Sequence, residues 1–129
     1  MRFRTAVVGA GRMGSIVAGQ VPREIDLTVI DTDAARAAEI AGQTRADRSG
    51  ADMALAGDAD IILLVLPAPV IPAAAEQAAT AAKPGALIVD MATKGCFPEG
   101  IAGKYPAVRL RKPRSSATPP PCVKVPPAA

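Results

Sequence analysis

The stretch VVGAGRMGS, Val7 to Ser15, sets three glycines at G-x-G-x-x-G spacing near the start of a chain of 129 residues. Glycine is common enough that the spacing alone also fits an ordinary tight turn, so its flanks decide the reading. Upstream, FRTAVV (Phe3 to Val8) is a short β-branched, apolar run that ends directly in Gly9, as a buried parallel strand does. Downstream, Met13, Ile16, Val17 and Val21 recur at helical spacing from Arg12 until Pro22 ends the pattern. The stretch reads as strand, turn and helix, with the helix opening inside the glycine spacing.

The same alternation continues along the chain. DLTVID (Asp26 to Asp31) is a second strand, followed by a helix with Thr32 or Asp33 as N-cap and Gly42 just past its end. The segment Gln43 to Asp60 is less periodic; a short third strand is expected near Thr44 to Ala46 and helical turns around Asp52 to Ala56. Ile61 to Leu66 is an unbroken aliphatic run closed by Pro67, which suits a central strand covered on both faces. A helix is expected from Pro72, where proline is tolerated in the first turn, to just before Pro84 and Gly85. ALIVDMATKG (Ala86 to Gly95) is a fifth strand with its exit loop, and Ala107 to Leu110 a sixth strand after a helical turn. Strands alternating with helices predict an α/β fold, a doubly wound parallel sheet of the Rossmann type forming a single domain over residues 1–110.

Composition agrees. Half the residues are apolar while aromatics are 2%, so the core must be built from Ala, Val, Ile and Leu. No apolar run approaches the roughly 18 residues needed to span a bilayer, and the N-terminus lacks a cleavable leader pattern; a cytoplasmic protein is expected. Cys96 and Cys122 are too few for a disulfide framework or a zinc site, and histidine is absent, so no metal is expected. The net charge of +3 divides unevenly, with −3 over Met1 to Gly103 and +6 over Lys104 to Ala129. Residues 111–129 hold 6 prolines and no helical or strand periodicity, and are expected to be a basic, disordered tail. Such a tail could bind nucleic acid through its charge, but it lacks stacking aromatics, and nucleic acid is not the favoured partner.

The chemistry follows from the glycines. Gly9 permits the tight turn out of the first strand, Gly11 lets an anion approach the backbone, and Gly14 lets the helix pack close. A helix beginning near Arg12 aims unsatisfied N–H groups and roughly half a positive charge at that spot, so a phosphate belongs there. Asp31 lies 17 residues past Gly14 at the end of the second strand. That is close to the roughly 20 at which an acidic residue accepts from the adenosine ribose hydroxyls of a bound dinucleotide. A 2′-phosphate beside that carboxylate would be repelled by about 1 to 4 kcal/mol, so NAD is favoured over NADP. Arg36 is the reservation: it is either a solvated helix residue or a partner for a 2′-phosphate. Cofactor-binding candidates are thus Gly9, Ala10, Gly11, Arg12, Met13, Gly14, Asp31 and Thr32.

Taken together, VVGAGRMG, VIDTD, ADIILLVLPAPVI and KPGALIVDMATKG resemble the N-terminal NAD(P)-binding domain shared by prephenate dehydrogenases, β-hydroxyacid dehydrogenases, pyrroline-5-carboxylate reductases and deazaflavin-dependent NADP reductases. The likeness covers about Arg2 to Gly95, with the four motifs in the family's order. It implies an oxidoreductase that transfers hydride between a nicotinamide coenzyme and a small hydroxy or keto acid or imine. It also places Leu66, Pro67, Ala68, Thr93 and Lys94 at the nicotinamide, consistent with ligands binding at the carboxyl ends of parallel strands. Lys94 is the catalytic candidate; Asp90 and Glu99 are further acid–base candidates.

Members of that family continue into a helical C-terminal domain that supplies much of the substrate site. The basic, proline-rich change near Arg111 suggests a truncated or frameshifted dehydrogenase: serine codons of the TCN type at Ser115 and Ser116, read from the preceding base, become apolar codons. Two alternatives remain: a non-catalytic NAD-binding module, and an S-adenosylmethionine-dependent methyltransferase, against which Gly14 and Pro67 argue. A fragment without its second domain is expected to expose apolar surface and to self-associate.

Overall fold

Five residues of β1 (Arg4–Val8) form the axis of the molecule, hydrogen-bonded to a parallel neighbour on each side. The computed structural model describes residues 3–92, 97 and 100–111. After β1 come α1 (Arg12–Gly19), β2 (Asp26–Ile30), α2 (Ala34–Thr44) and β3 (Arg48–Gly50). A 3₁₀ turn at Met53–Ala56 leads to β4 (Ile61–Leu64), and a second at Ala68–Val70 leads to α3 (Ile71–Ala81). The described residues end with β5 (Leu87–Asp90), α4 (Ile101–Lys104) and β6 (Arg109–Arg111). All strand pairs are parallel, in the order β3-β2-β1-β4-β5-β6, the doubly wound arrangement expected of the Rossmann type.

The pleat sorts the core into two faces. Ala6 and Val8 of β1, Ile62 and Leu64 of β4 and Ile88 of β5 pack with Ile71, Ala75, Ala78 and Ala79 of α3. Val7 of β1, with Leu27 and Val29 of β2, faces Ala18 of α1 and Ala37 and Ile40 of α2. Alanine on the helix side of both layers sets bulky strand residues against small helix residues, which is why so few aromatics suffice.

Register then fixes the site. Val8 pairs with Ile30 on one side and Leu64 on the other, so the three central strands end level. Their exit turns, beginning at Gly9, Asp31 and Val65, meet along one edge. The sheet order reverses between β1 and β4, and the crevice outside that reversal is where doubly wound sheets bind ligands.

Several boundaries depart from the sequence reading. The strand expected at Thr44 to Ala46 lies at Arg48–Gly50, because α2 runs through Gly42 to Thr44. Gly42 is an ordinary helical residue; the left-handed position falls on Arg45 (φ 59°), and Ala46 N–H closes the end on the Ala41 carbonyl at 2.9 Å. β4 stops at Leu64, two residues before the end of its aliphatic run, and β6 is displaced to Arg109–Arg111. In α1 the periodic Met13 and Ile16 are 61% and 48% exposed, and the buried residues are Gly14 and Ala18. Val17 and Val21 of the periodic set pack against the core, whereas Met13 and Ile16 do not, because α1 sits on the turn with its smallest residues.

Candidate functional site

The turn after β1 is built by close backbone contact. Gly9 has φ +114°, and a Cβ there would lie 2.2 Å from the Val65 carbonyl oxygen, so the loop leaving β4 rests directly on it. At Gly14 a Cβ would lie 1.8 Å from the Gly9 carbonyl oxygen, so the first turn of α1 is seated on the same peptide. Gly11 differs: its would-be Cβ meets nothing within 4 Å. It is the N-cap of α1 and offers no side-chain cap, leaving the first N–H groups of the helix without intrahelical partners. Open space in front of bare helix amides is a cradle for an anion, and a side chain at Gly11 would fill it.

A crevice of about 690 Å³ opens here. Gly11, Arg12, Met13 and Gly14 form one wall, and Leu66, Pro67 and Ala68 from the β4 exit form the other, so seven of the sequence candidates come together. Val65, Met91 and Ala92 complete it and were missed; the exit of β4 and β5 at the same edge is the signal that could have found them. Gly9 forms the turn beneath, and Ala10 is fully buried. Thr32 is exposed at the neighbouring β2 exit. Thr93, Lys94 and Glu99, like both cysteines, lie outside the described residues.

Asp31 follows β2, partly buried, with its N–H donating to the Gly50 carbonyl at 3.1 Å. Its Oδ2 accepts from Ala10 N–H at 2.7 Å and its Oδ1 from Asp33 N–H at 2.8 Å. Each carboxylate oxygen still has a lone pair for a ligand hydroxyl. Arg36 is not simply solvated: its Nε donates to the Ala10 carbonyl at 2.8 Å. Asp90 is fully buried at the end of β5, where its Oδ1 accepts from Ala92 N–H at 2.8 Å, so it shapes the exit loop rather than lining the crevice. Among the described residues lining the crevice, Arg12 alone is ionisable. None of the described residues forms a cluster of acidic, cysteine or histidine side chains able to hold a metal.

The glycine turn, the start of α1 and the Asp31 carboxylate all fall within a family match. The model of the family described as NADP oxidoreductase coenzyme F420-dependent matches residues 4–94. The chain belongs to that family. It is an NAD(P)-binding Rossmann domain of the dehydrogenase superfamily that its motifs resemble. The Synechocystis arogenate dehydrogenase structure is similar at 26% identity and a TM-score of 0.66, over 70% of this chain and 33% of that one. Two others share the fold: Mycobacterium tuberculosis 3-hydroxyisobutyrate dehydrogenase (19% identity, TM-score 0.70, 91% of this chain and 42% of that one) and A. aeolicus prephenate dehydrogenase (16%, 0.65, 72% and 34%). The last was solved with hydroxyphenyl propionate and NAD+. No curated protein sequence matches. The chain thus covers 33% to 42% of the length of these three solved structures. No helix among its described residues is long and apolar enough to cross a membrane.

Proposed function

We propose that the crevice binds NAD in preference to NADP, and that the chain is the coenzyme half of an oxidoreductase acting on a small hydroxy or keto acid or an imine. The observation that carries the reading is the empty space before Gly11 at the bare start of α1. The amides of Gly11 to Gly14 would hold the pyrophosphate, Asp31 and Thr32 the adenosine ribose hydroxyls, and Leu66, Pro67, Ala68 and Met91 the nicotinamide. When bound, the nicotinamide carries the hydride. The chain's part is to hold it against an apolar wall that excludes water, and Thr93 and Lys94 are the candidates for the reacting side that the family resemblance implies. Titration calorimetry with NAD, NADP and S-adenosylmethionine tests this: NAD binds most tightly and S-adenosylmethionine does not bind. A chain that ignores NAD refutes it.

A second reading, a non-catalytic NAD-binding module, is favoured by the lack of any acid or base among the described crevice residues. Reduction of NAD by any 2- or 3-hydroxy acid decides for the enzyme. Exposed Met13, Ile16, Val70 and Met91 support self-association, seen as concentration-dependent sedimentation.

A further inference from the structure

Ala10 is held at both its polar atoms by the connection between β2 and α2. Its N–H donates to Asp31 Oδ2 at 2.7 Å, and its carbonyl accepts from Arg36 Nε at 2.8 Å. Asp33, the N-cap of α2, donates its own N–H to Asp31 Oδ1 at 2.8 Å and accepts from Ala35 and Arg36 N–H. Asp33 thus caps the helix that carries Arg36 and orients the carboxylate that holds Ala10. The Arg36 terminal nitrogens carry no partner among the described residues, so the Nε bond is what ties this side chain to the fold.

The consequence lies in the peptide plane. The Ala10 carbonyl and the Gly11 N–H belong to one planar trans unit and point in opposite directions. A donor fixing the carbonyl therefore fixes where the N–H is aimed. With Arg36 Nε on the Ala10 carbonyl, the Gly11 N–H is turned away from that donor, and Gly11 itself lines the crevice. Asp31 does the same one peptide earlier, since holding Ala10 N–H sets the Gly9 carbonyl on which α1 is seated. Ala10 N–H is thereby occupied and supplies geometry.

We propose that Arg36 is a positioning residue for the pyrophosphate, acting through the Ala10–Gly11 peptide rather than by touching the ribose 2′ position. The proposal rests on the dinucleotide reading above. It is tested in the full chain with Arg36→Met, which keeps the aliphatic stem and loses the donor, and Arg36→Lys, which restores one. Losing a charge-assisted hydrogen bond weakens NAD and NADP alike, by about tenfold, in Arg36→Met. Adenosine, which lacks the pyrophosphate, binds as before, Arg36→Lys recovers part of the loss, and the melting temperature holds. NAD affinity left unchanged, whether or not NADP weakens, overturns the proposal. So does adenosine weakening in step with NAD, which would put Arg36 on the nucleoside. The ligand-free amide spectrum separates this from the reading it rests on. A Gly11 resonance that moves in Arg36→Met supports the clamp even if wild-type protein binds no dinucleotide, and one that stays still refutes it.

Discussion

At Gly14 an added methyl group would lie 1.8 Å from the Gly9 carbonyl oxygen, whereas at Gly11 it meets nothing within 4 Å. The two positions therefore separate folding from binding. Gly14→Ala forces α1 off its turn and lowers unfolding free energy by about 1–3 kcal/mol, read from the denaturant midpoint. Gly11→Val leaves the melting temperature near wild type, because its side chain enters open space. It weakens NAD by about tenfold to a hundredfold by displacing the pyrophosphate from charge-assisted amide bonds. Unchanged affinity would show the loop to be only a turn. Asp31 carries a third expectation. Asp31→Asn keeps an oxygen for Ala10 N–H but removes the charge that repels a 2′-phosphate, so the NAD-to-NADP affinity ratio falls by about tenfold or more in paired titrations. A ratio that does not move places coenzyme choice elsewhere. The turn at Gly9 and the close packing at Gly14 were legible because each follows from its place between a strand and a helix. The hold of Arg36 on Ala10 was not, since it joins residues 26 positions apart and no local pattern encodes it.

Among the elements, the strands most exposed to the pattern of the sheet were the most legible. β4 is an unbroken aliphatic run, and β1 and β5 carry shorter ones, Ala6 to Val8 and Leu87 to Val89. β3 has only Arg48, Ser49 and Gly50 at the sheet edge, paired on one side to Thr28, Val29 and Ile30, and such a strand has no apolar signature. Its position was therefore misread together with the end of α2, where a glycine that the helix absorbs imitated a stop signal. α1 shows the opposite error: its fully buried residues are Gly14 and Ala18, chosen for smallness, so Met13 and Ile16 lie outside while Val17 is only partly covered. α3 uses the same logic at greater length, with Ala74, Ala75, Ala78 and Ala79 buried against the sheet. Ala78 is fully buried, so Ala78→Leu has no room to repack and costs about 1–3 kcal/mol in chemical denaturation. A neutral result would mean that α3 rides higher on the sheet than its alanines imply.

Across the whole molecule, charge is gathered at the end of the sheet away from the crevice, where the strands begin. Arg4 meets Asp58 at 2.6 Å, Arg48 bridges Asp58 and Asp26 at 3.2 and 3.4 Å, and Lys83 meets Asp60 at 2.7 Å. Single pairs this exposed contribute about 0–1 kcal/mol, so their weight lies in joining the starts of β1, β2, β3 and β4 to the turn between α3 and β5. The Lys83 hydrogen bond, with Arg4 N–H, holds the Asp60 carboxyl below the usual aspartate range. At Asp58 burial pushes upward, but the Arg48 hydrogen bond and the charges of Arg48 and Arg4 outweigh it, and this carboxyl is also lowered. On the outer face Glu76 is lowered by its hydrogen bond from Lys104. A carboxylate whose pKa is lower in the folded chain binds fewer protons there than when unfolded, so stability rises with pH through that range. The contribution is complete above the unfolded value, about 3.9 for aspartate, and is lost as pH falls through the folded one. Denaturation midpoints should thus hold steady from neutrality down to about pH 5 and then fall. Asp60→Asn lowers the neutral plateau slightly and flattens the acid limb, since the group that takes up the proton is gone. High salt weakens the plateau, because the pairs are exposed. An acid limb equally steep in Asp60→Asn would assign the acid sensitivity to carboxylates outside this network.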